Sequence, residues 1–179
     1  MKEIKIMSNT IKAVSLFSGA GGMDVGFERA GVQVVFANEL MKEAAETYKA
    51  NHPNGMMIND DINNIMDKLD GFRGVDLVFG GPPCQGFSVA GKMDPDDERS
   101  KLIMTFLDVV ERVQPKAFVM ENVPEFLSNR YWKYFYAAKN RYEQEGYIVK
   151  ENIYNAASFG VPQERFRSVV IGMKKEFIL

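Results

Sequence analysis

The chain has 179 residues, ample for one domain and short for two, and at 46% hydrophobic it carries enough apolar material for a single large core. No apolar run approaches the roughly 18 residues of a membrane-spanning helix, and the N-terminal MKEIKIMSNT predicts no secretory leader, so a cytoplasmic protein without membrane attachment is expected. One cysteine excludes an intrachain disulfide and, with one histidine, a four-ligand zinc site. A balance of 22 basic and 24 acidic residues leaves any nucleic-acid role to local clusters or a partner.

The chain reads as strands alternating with helices. Lys12–Phe17 is a short β-rich run ending in a glycine cluster, Gly19 to Gly22, and Met23–Ala30 then has helical character, closed by Gly31. Gln33–Ala37 is strand-like, and Met41–Ala50, rich in Ala, Glu and Lys, predicts a helix that stops before Pro53. Met56–Ile58 predicts a weak strand, Ile62–Leu69 has helical spacing, and Val75–Phe79 is a buried-type strand stopped by Gly80, Gly81, Pro82 and Pro83. Ser100–Val113 predicts a helix, Ala117–Met120 a strand, and Tyr131–Glu145 a helix ended by Gly146. Tyr147–Asn155 and Arg167–Met173 are expected to pair as two late strands. This alternation, with short glycine- and proline-bearing connections, predicts an α/β fold with a mostly parallel sheet covered on both faces. Gly86–Glu98 is the longest non-periodic stretch and is expected to be a functional loop.

In an open α/β sheet, ligands bind at the carboxyl ends of the strands. The first strand ends in Phe17-Ser18-Gly19-Ala20-Gly21-Gly22, where glycines permit a tight turn and close backbone approach. The spacing is not GxGxxG, because Asp24 stands where the third glycine belongs. Glu39 ends the second strand, where a carboxylate suits a ribose diol, and Asp60 and Asp61 follow the third, placed to accept from an adenine amino group. Together they describe a pocket for an adenosine-containing cofactor; a glycine turn needed only for structure is the plainer alternative.

The fourth strand runs into Gly80-Gly81-Pro82-Pro83-Cys84-Gln85-Gly86-Phe87-Ser88. A free cysteine is most often a small buried hydrophobe, but polar, turn-forming neighbours place Cys84 at an edge, where a thiolate attacks. The fifth strand ends in Glu121-Asn122-Val123-Pro124, so Glu121 is expected to share that pocket, as acid or hydrogen-bond partner or else as a helix cap. On a strand, Gln163, Arg165 and Arg167 would share one side, an arrangement suited to a phosphate, a carboxylate or a carbonyl oxygen, or to a charged strand edge. Arg130, Lys133, Lys139 and Arg141 lie on one predicted helix as a candidate basic face or a solvated one. His52 is expected at the surface with no role, and the methionines and Trp132 as core filler.

The ordered set FSGAGG (17–22), Glu39, Asp61-Ile62, GPPCQGFS (81–88), ENV (121–123) and QERFR (163–167) resembles the cytosine-C5 methyltransferase family across nearly the whole chain. The resemblance implies a doubly wound, Rossmann-like fold of the S-adenosylmethionine-dependent type. It implies S-adenosyl-L-methionine held by Phe17, Ser18, Gly19, Ala20, Gly21, Gly22, Glu39, Leu40, Asp61, Ile62 and Pro82, with Glu39 on the ribose and Asp61 on the adenine. Leu40 stands where the family often has an aromatic residue, so adenine packing would be aliphatic. Cys84 would add to cytosine C6, Glu121 would engage N3 and the exocyclic amine, and Arg165 and Arg167 would steady the loop and the flipped base. Pro83, Gln85, Ser88, Arg99, Asn122, Val123 and Gln163 would complete the substrate site, with no metal.

Family members usually continue into a variable recognition domain and a terminal segment that returns to complete the cofactor site. Residues 1–10 are expected as an extension and 11–179 as the catalytic domain, acting on double-stranded DNA in a restriction-modification setting, with the missing parts supplied by a second polypeptide or by the rest of a longer chain of which this is a fragment. Methylation of tRNA cytosine, and a non-catalytic regulatory role, stay open. An amino-methyltransferase is disfavoured, because Gly81 precedes the Pro-Pro turn and Cys84 follows it.

Overall fold

Strands that are apolar at consecutive positions demand cover on both faces, and here they assemble into one sheet. The computed structural model describes residues 10–83, 98–127 and 132–178, with the backbone course alone for 98–101 and 132–134. In chain order the elements are β1 (Ile11–Leu16), α1 (Gly22–Arg29), β2 (Val32–Glu39), α2 (Lys42–Asn51), β3 (Met56–Asn59), β4 (Leu77–Gly80), α3 (Glu98–Val113), β5 (Ala117–Asn122), α4 (Trp132–Gln144), β6 (Tyr147–Asn155) and β7 (Phe166–Lys174). The seven strands lie in the order β3-β2-β1-β4-β5-β7-β6. The first five run parallel, and β7 is antiparallel to both β5 and β6. The doubly wound, mostly parallel sheet and the late strand pair both match expectation. No helix among the described residues is long and apolar enough to cross a membrane.

Ile62–Leu69 departs from expectation: it forms two 3-10 segments, Ile62–Asn64 and Met66–Phe72, rather than one α-helix. Asn63, Asn64, Asp67 and Asp70 are weak helix formers. Asp61 Oδ1 also accepts from the Asn63 backbone N–H and from its side-chain amide, both at 2.8 Å. Such local bonding competes with the α-helical ladder. Ile62, Ile65 and Leu69 still reach the core, so burial survives the change of geometry.

Side chains alternate between the two faces of the sheet. On one face Val14, Leu16, Val78, Phe118, Met120 and Val170 pack with Phe106 and Val110 of α3 and Phe135 and Tyr142 of α4. On the other, Ala13, Val34, Leu77 and Phe79 pack against Met23 and Phe27 of α1, and the Phe27 and Phe79 ring centroids lie 4.2 Å apart. Cover on this second face stops there. By register, Val119 of β5, Val169, Ile171 and Met173 of β7 and Ile148 of β6 continue the same face, and Ile148, Ile171 and Met173 are 39%, 41% and 38% exposed. No described helix lies over them. The methionines are therefore split: Met120 is core, whereas Met41, Met56 and Met173 are exposed.

Candidate functional site

The strand order reverses direction between β1 and β4, the switch point where α/β sheets open a crevice at their carboxyl ends. The chain leaving β1 turns sharply there. Phe17 takes φ +52°, a left-handed conformation that costs a non-glycine residue about 1–2 kcal/mol. Gly21 follows at φ +91°, and a Cβ there would collide with His52 Nε2. The turn is fastened from β2. Gly19 N–H donates to Glu39 Oε2 and Met41 N–H to Oε1, both at 2.8 Å, and Ser18 N–H donates to the Asn38 carbonyl at 3.0 Å. Each Glu39 oxygen thus accepts one backbone N–H and keeps a second lone pair for a ligand. Asn59 Nδ2 donates to the carbonyls of Glu39 and Leu40, fixing the chain beyond the carboxylate.

Two cavities meet at this turn. The larger, about 380 Å³, is lined by Phe17, Asn38, Glu39, Leu40, Met41, Asp61, Ile62, Gly81, Pro83 and Leu102. Its wall is mostly apolar and carries two carboxylates, Glu39 at the end of β2 and Asp61 just after β3. The smaller, about 140 Å³, is lined by Ser15, Leu16, Phe17, Ser18, Met23, Asp24, Phe79, Gly80, Gly81 and Glu121. Phe17 and Gly81 line both. Of the expected cofactor residues, Gly19 acts through Glu39, Gly21 and Gly22 open α1, and Ala20 is exposed and lines neither cavity. Pro82 is buried and lines neither, whereas Pro83, expected on the substrate side, lines the larger one. Sequence reasoning missed Ser15, Met23, Asn38, Met41 and Leu102; their helical or strand positions carry no motif.

The end of β4 is squeezed between its neighbours. A Cβ on Gly80 would collide with the Leu16 carbonyl, and one on Gly81 would sit 2.9 Å from Glu121 Oε2. Glycine there lets the Glu121 carboxylate lie directly against the backbone that leads to Cys84. Arg167 Nε holds Glu121 Oε1 at 2.8 Å, with the two side chains 28% and 29% exposed, so the pair faces a half-open site. Asn122 is 3% exposed. Its Nδ2 donates to the Pro82 carbonyl at 3.1 Å and its Oδ1 accepts from Val123 N–H, so it anchors the Pro-Pro turn from beneath rather than lining the pocket. Ser168, unremarked in the sequence, donates to the Val123 carbonyl at 3.0 Å and ties β7 to the same corner. Cys84, Gln85 and Ser88, with the rest of the expected loop up to residue 97, lie outside the described residues, as do Arg130 and the side chains of Arg99, Trp132 and Lys133.

Gln163 and Arg165 do not share a strand face with Arg167. The strand begins at Phe166, and the preceding chain is a turn in which Gln163 N–H donates to the Val161 carbonyl at 2.8 Å. Pro162 has no N–H for a ladder, and Asn155 Oδ1 gathers the N–H groups of Ala157 and Arg165 instead. Arg165 is exposed and Arg167 alone reaches Glu121. The expected basic helical face is also modified. Lys139 pairs with Glu151 at 3.1 Å, and Arg141 with Glu111 at 2.6 Å and Asp108 at 3.0 Å, so both cations are engaged within the fold.

His52 is the clearest correction. It is 5% exposed, not a surface residue. Pro53 ends α2 there, and the ring folds back to stack on Tyr48, centroids 4.4 Å apart, beneath the glycine turn. Its Nδ1 meets Glu28 Oε2 at 2.9 Å. Tyr48 in turn donates to Asp24 Oδ1 at 2.8 Å, and burial, followed by the charge of Asp24, raises the Tyr48 pKa so that the phenol keeps the proton it donates. Burial likewise raises the Asp24 pKa, and Tyr48, Ser15 and His52 offset only part of that rise.

The larger crevice thus lies beside the Gly-Pro-Pro turn, and the strand-end Glu121, paired to Arg167, lines the smaller cavity that shares Phe17 and Gly81 with it. The family model described as C-5 cytosine-specific DNA methylase matches residues 11–179. The chain belongs to that family. It is 43% identical to the Type II methyltransferase M1.HphI of Haemophilus parahaemolyticus, over 90% of this chain and 45% of that protein. It is 41% identical to the Type II methyltransferase M.AquIA of a Picosynechococcus strain, over 90% of this chain and 71% of that protein. A solved DNA modification methyltransferase encoded within an E. coli prophage superposes with a TM-score of 0.82 at 33% identity, covering 93% of this chain and 47% of that one. The chain spans about half the length of several of the Type II methyltransferases that it matches. Among the described residues, no three His, Cys, Asp or Glu side chains group to hold a metal ion.

Proposed function

We propose that this chain is the cofactor-binding and catalytic part of a DNA (cytosine-5-)-methyltransferase of a restriction-modification system, working through a covalent Cys84 adduct on a flipped cytosine. The observation that carries this reading is the position of Glu121, clamped by Arg167 and backed against Gly81, three residues before Cys84 and on the wall of the smaller cavity. The membership of the chain in the family, and the Type II methyltransferase names of its relatives, support it.

The crevice fits S-adenosylmethionine. Leu40, Met41, Ile62 and Phe17 offer apolar surface to an adenine, Asp61 an acceptor for its amino group, and Glu39 free lone pairs for a ribose diol. When bound, the cofactor supplies an electrophilic methyl group. The chain's residues do the rest. The Cys84 thiolate forms a bond to cytosine C6, which places the electron pair on C5. Glu121 hydrogen-bonds the N3 edge and stabilises the ring as its charge redistributes. After methylation C5 loses its proton, the S–C6 bond breaks, and the electron pair returns to Cys84. Arg167 keeps Glu121 in place, and the exposed Arg165 is free to meet the base or backbone. Extruding the base costs only a few kcal/mol, which backbone contacts offset.

Target recognition belongs to a second polypeptide. The exposed apolar half-face of the sheet and the internal pairing of Lys139 and Arg141 support this. The test is transfer of tritiated methyl from S-adenosylmethionine to DNA and, in parallel, to tRNA. The chain alone is expected to transfer poorly and to gain sequence-specific DNA methylation when complemented. Full specific activity alone overturns the partner; tRNA as the sole acceptor overturns DNA; no transfer from any mixture overturns the enzyme.

A further inference from the structure

The smaller cavity has a floor that the reaction does not use. Ser15 is 1% exposed and Asp24 0% exposed, and both line it. Ser15 lies close enough to the Asp24 carboxylate to favour its charged form, yet neither Ser15 Oγ nor Asp24 Oδ2 completes a hydrogen bond of good geometry. A buried, unpartnered polar atom is costly, and a buried charge more so unless an opposite charge meets it. Tyr48 gives Asp24 Oδ1 a hydrogen bond but no positive charge, and the Ser15 hydroxyl has none to give. His52 has its Nδ1 turned to Glu28; its Nε2 has no hydrogen-bond partner, and it favours the Asp24 carboxylate only through space. The carboxylate is nevertheless held in place by a continuous set of contacts, Glu28 to His52, His52 stacked on Tyr48, and Tyr48 to Asp24. Rigid support for a buried carboxyl group with one unmet oxygen on a cavity floor is the preparation expected for a cationic ligand.

The helix that carries Asp24 supplies the opposite pole. The N-cap of α1 is Gly21, which makes no side-chain cap hydrogen bond; the Asp24 amide turns to its own carboxylate, and the Gly22 and Met23 N–H groups are left for an anion. A zwitterion placed here meets N–H donors with its carboxylate and Asp24 with its ammonium. We infer that Asp24, with Ser15 beside it, is the recognition group for the α-ammonium of the cofactor's amino-acid end, and that Tyr48 and His52 are positioning residues that hold Asp24 for it. This rests on the reading that the cofactor is S-adenosylmethionine. It also explains why an aspartate stands where a dinucleotide fold has its third glycine.

The experiment is calorimetric titration of the full chain with three probes: S-adenosylhomocysteine, its deamino analogue, which keeps the carboxylate and lacks the ammonium, and 5′-methylthioadenosine, which lacks the whole tail. Asp24→Asn keeps the acceptor for Tyr48 and the volume, so it is expected to fold. It should weaken S-adenosylhomocysteine at least tenfold and change the other two less than twofold. Tyr48→Phe should weaken S-adenosylhomocysteine about threefold and spare the deamino analogue. Equal losses for all three probes would mean a merely structural role and overturn the inference, as would no loss for S-adenosylhomocysteine. If the wild-type chain binds methylthioadenosine but Asp24→Asn shows no selectivity, the inference alone fails; if it binds none of the probes, the cofactor reading fails and takes the inference with it.

Discussion

The β1–β2–β4 half of the sheet and the β5–β7–β6 half are built from similar strands and finished differently. Over the first, α1 seals one face and the α3–α4 layer the other, so Ala13, Val34 and Phe79 are buried on the α1 side. Over the second, the described helices close the α3–α4 face alone, and Ile148, Ile171 and Met173 are partly exposed on the other. The strand-end carboxylates follow the same division. Glu39 is 9% exposed and held by two backbone N–H groups, whereas Glu121 is held by one arginine in a half-open site. The difference is one of enclosure: the Glu39 end is held by the chain's own backbone, whereas the Glu121 end stays half-open.

The largest effect should come from the target end. Glu121→Gln is expected to lower methyl transfer in the complemented enzyme roughly 10²–10³-fold, with cofactor affinity changed less than about twofold in titration. Comparable losses in both would erase the division between the two carboxylates. At the cofactor end the reverse is expected. Glu39→Ala removes an acceptor of two backbone N–H groups and should weaken S-adenosylhomocysteine by about 3 kcal/mol, roughly 100-fold.

Stability sharpens the comparison between the sheet halves. Phe79→Ala on the sealed face should cost about 3–5 kcal/mol in denaturant unfolding. Ile171→Lys on the open face should cost under about 0.5 kcal/mol in the isolated chain, yet abolish complementation. A large destabilisation by Ile171→Lys would mean that the face is already covered.

The smallest effect is a dependence on pH. Burial raises the folded-state pKa of Asp24 above its ordinary value, so the fold favours the protonated form, and stability from this group is greatest at acid pH and declines as pH rises through and above the ordinary carboxylate range. Glu28, Tyr48 and His52 face the same cluster and are unchanged in Asp24→Asn. That variant, always neutral, should match the wild type near pH 4 and melt higher at neutral pH, on the order of 2–4 °C for about 1 kcal/mol. A gap that closes as pH rises would contradict the sign.

Much of this was legible in the sequence because the signals are local. Strand–helix alternation, Gly31 and Gly146 at φ +86° and +85° closing α1 and α4, and the Gly-Pro-Pro turn each act within a few residues. Glu39 was found because it sits at the end of a strand, where geometry leaves few roles. What was missed depends on distance in sequence. His52 is buried because Gly21 leaves it room, and no pattern around residue 52 reports that. Asn122 looked like a substrate residue until Pro82, forty positions away, took its amide. Ile62–Leu69 had helical apolar spacing, but the asparagines and aspartates between decided for 3-10 turns. The run QERFR suggested a single strand face, and Pro162 with Asn155 turned its first half into a loop.

The most direct test of the catalytic claim is covalent trapping on duplexes containing 5-fluorocytosine, with S-adenosylmethionine and a complementing extract, read as a shifted band on a denaturing gel. An adduct is expected to form with the wild-type chain and to disappear in Cys84→Ser. A chain that binds the cofactor yet gives no Cys84-dependent adduct across diverse duplexes would contradict the catalytic claim.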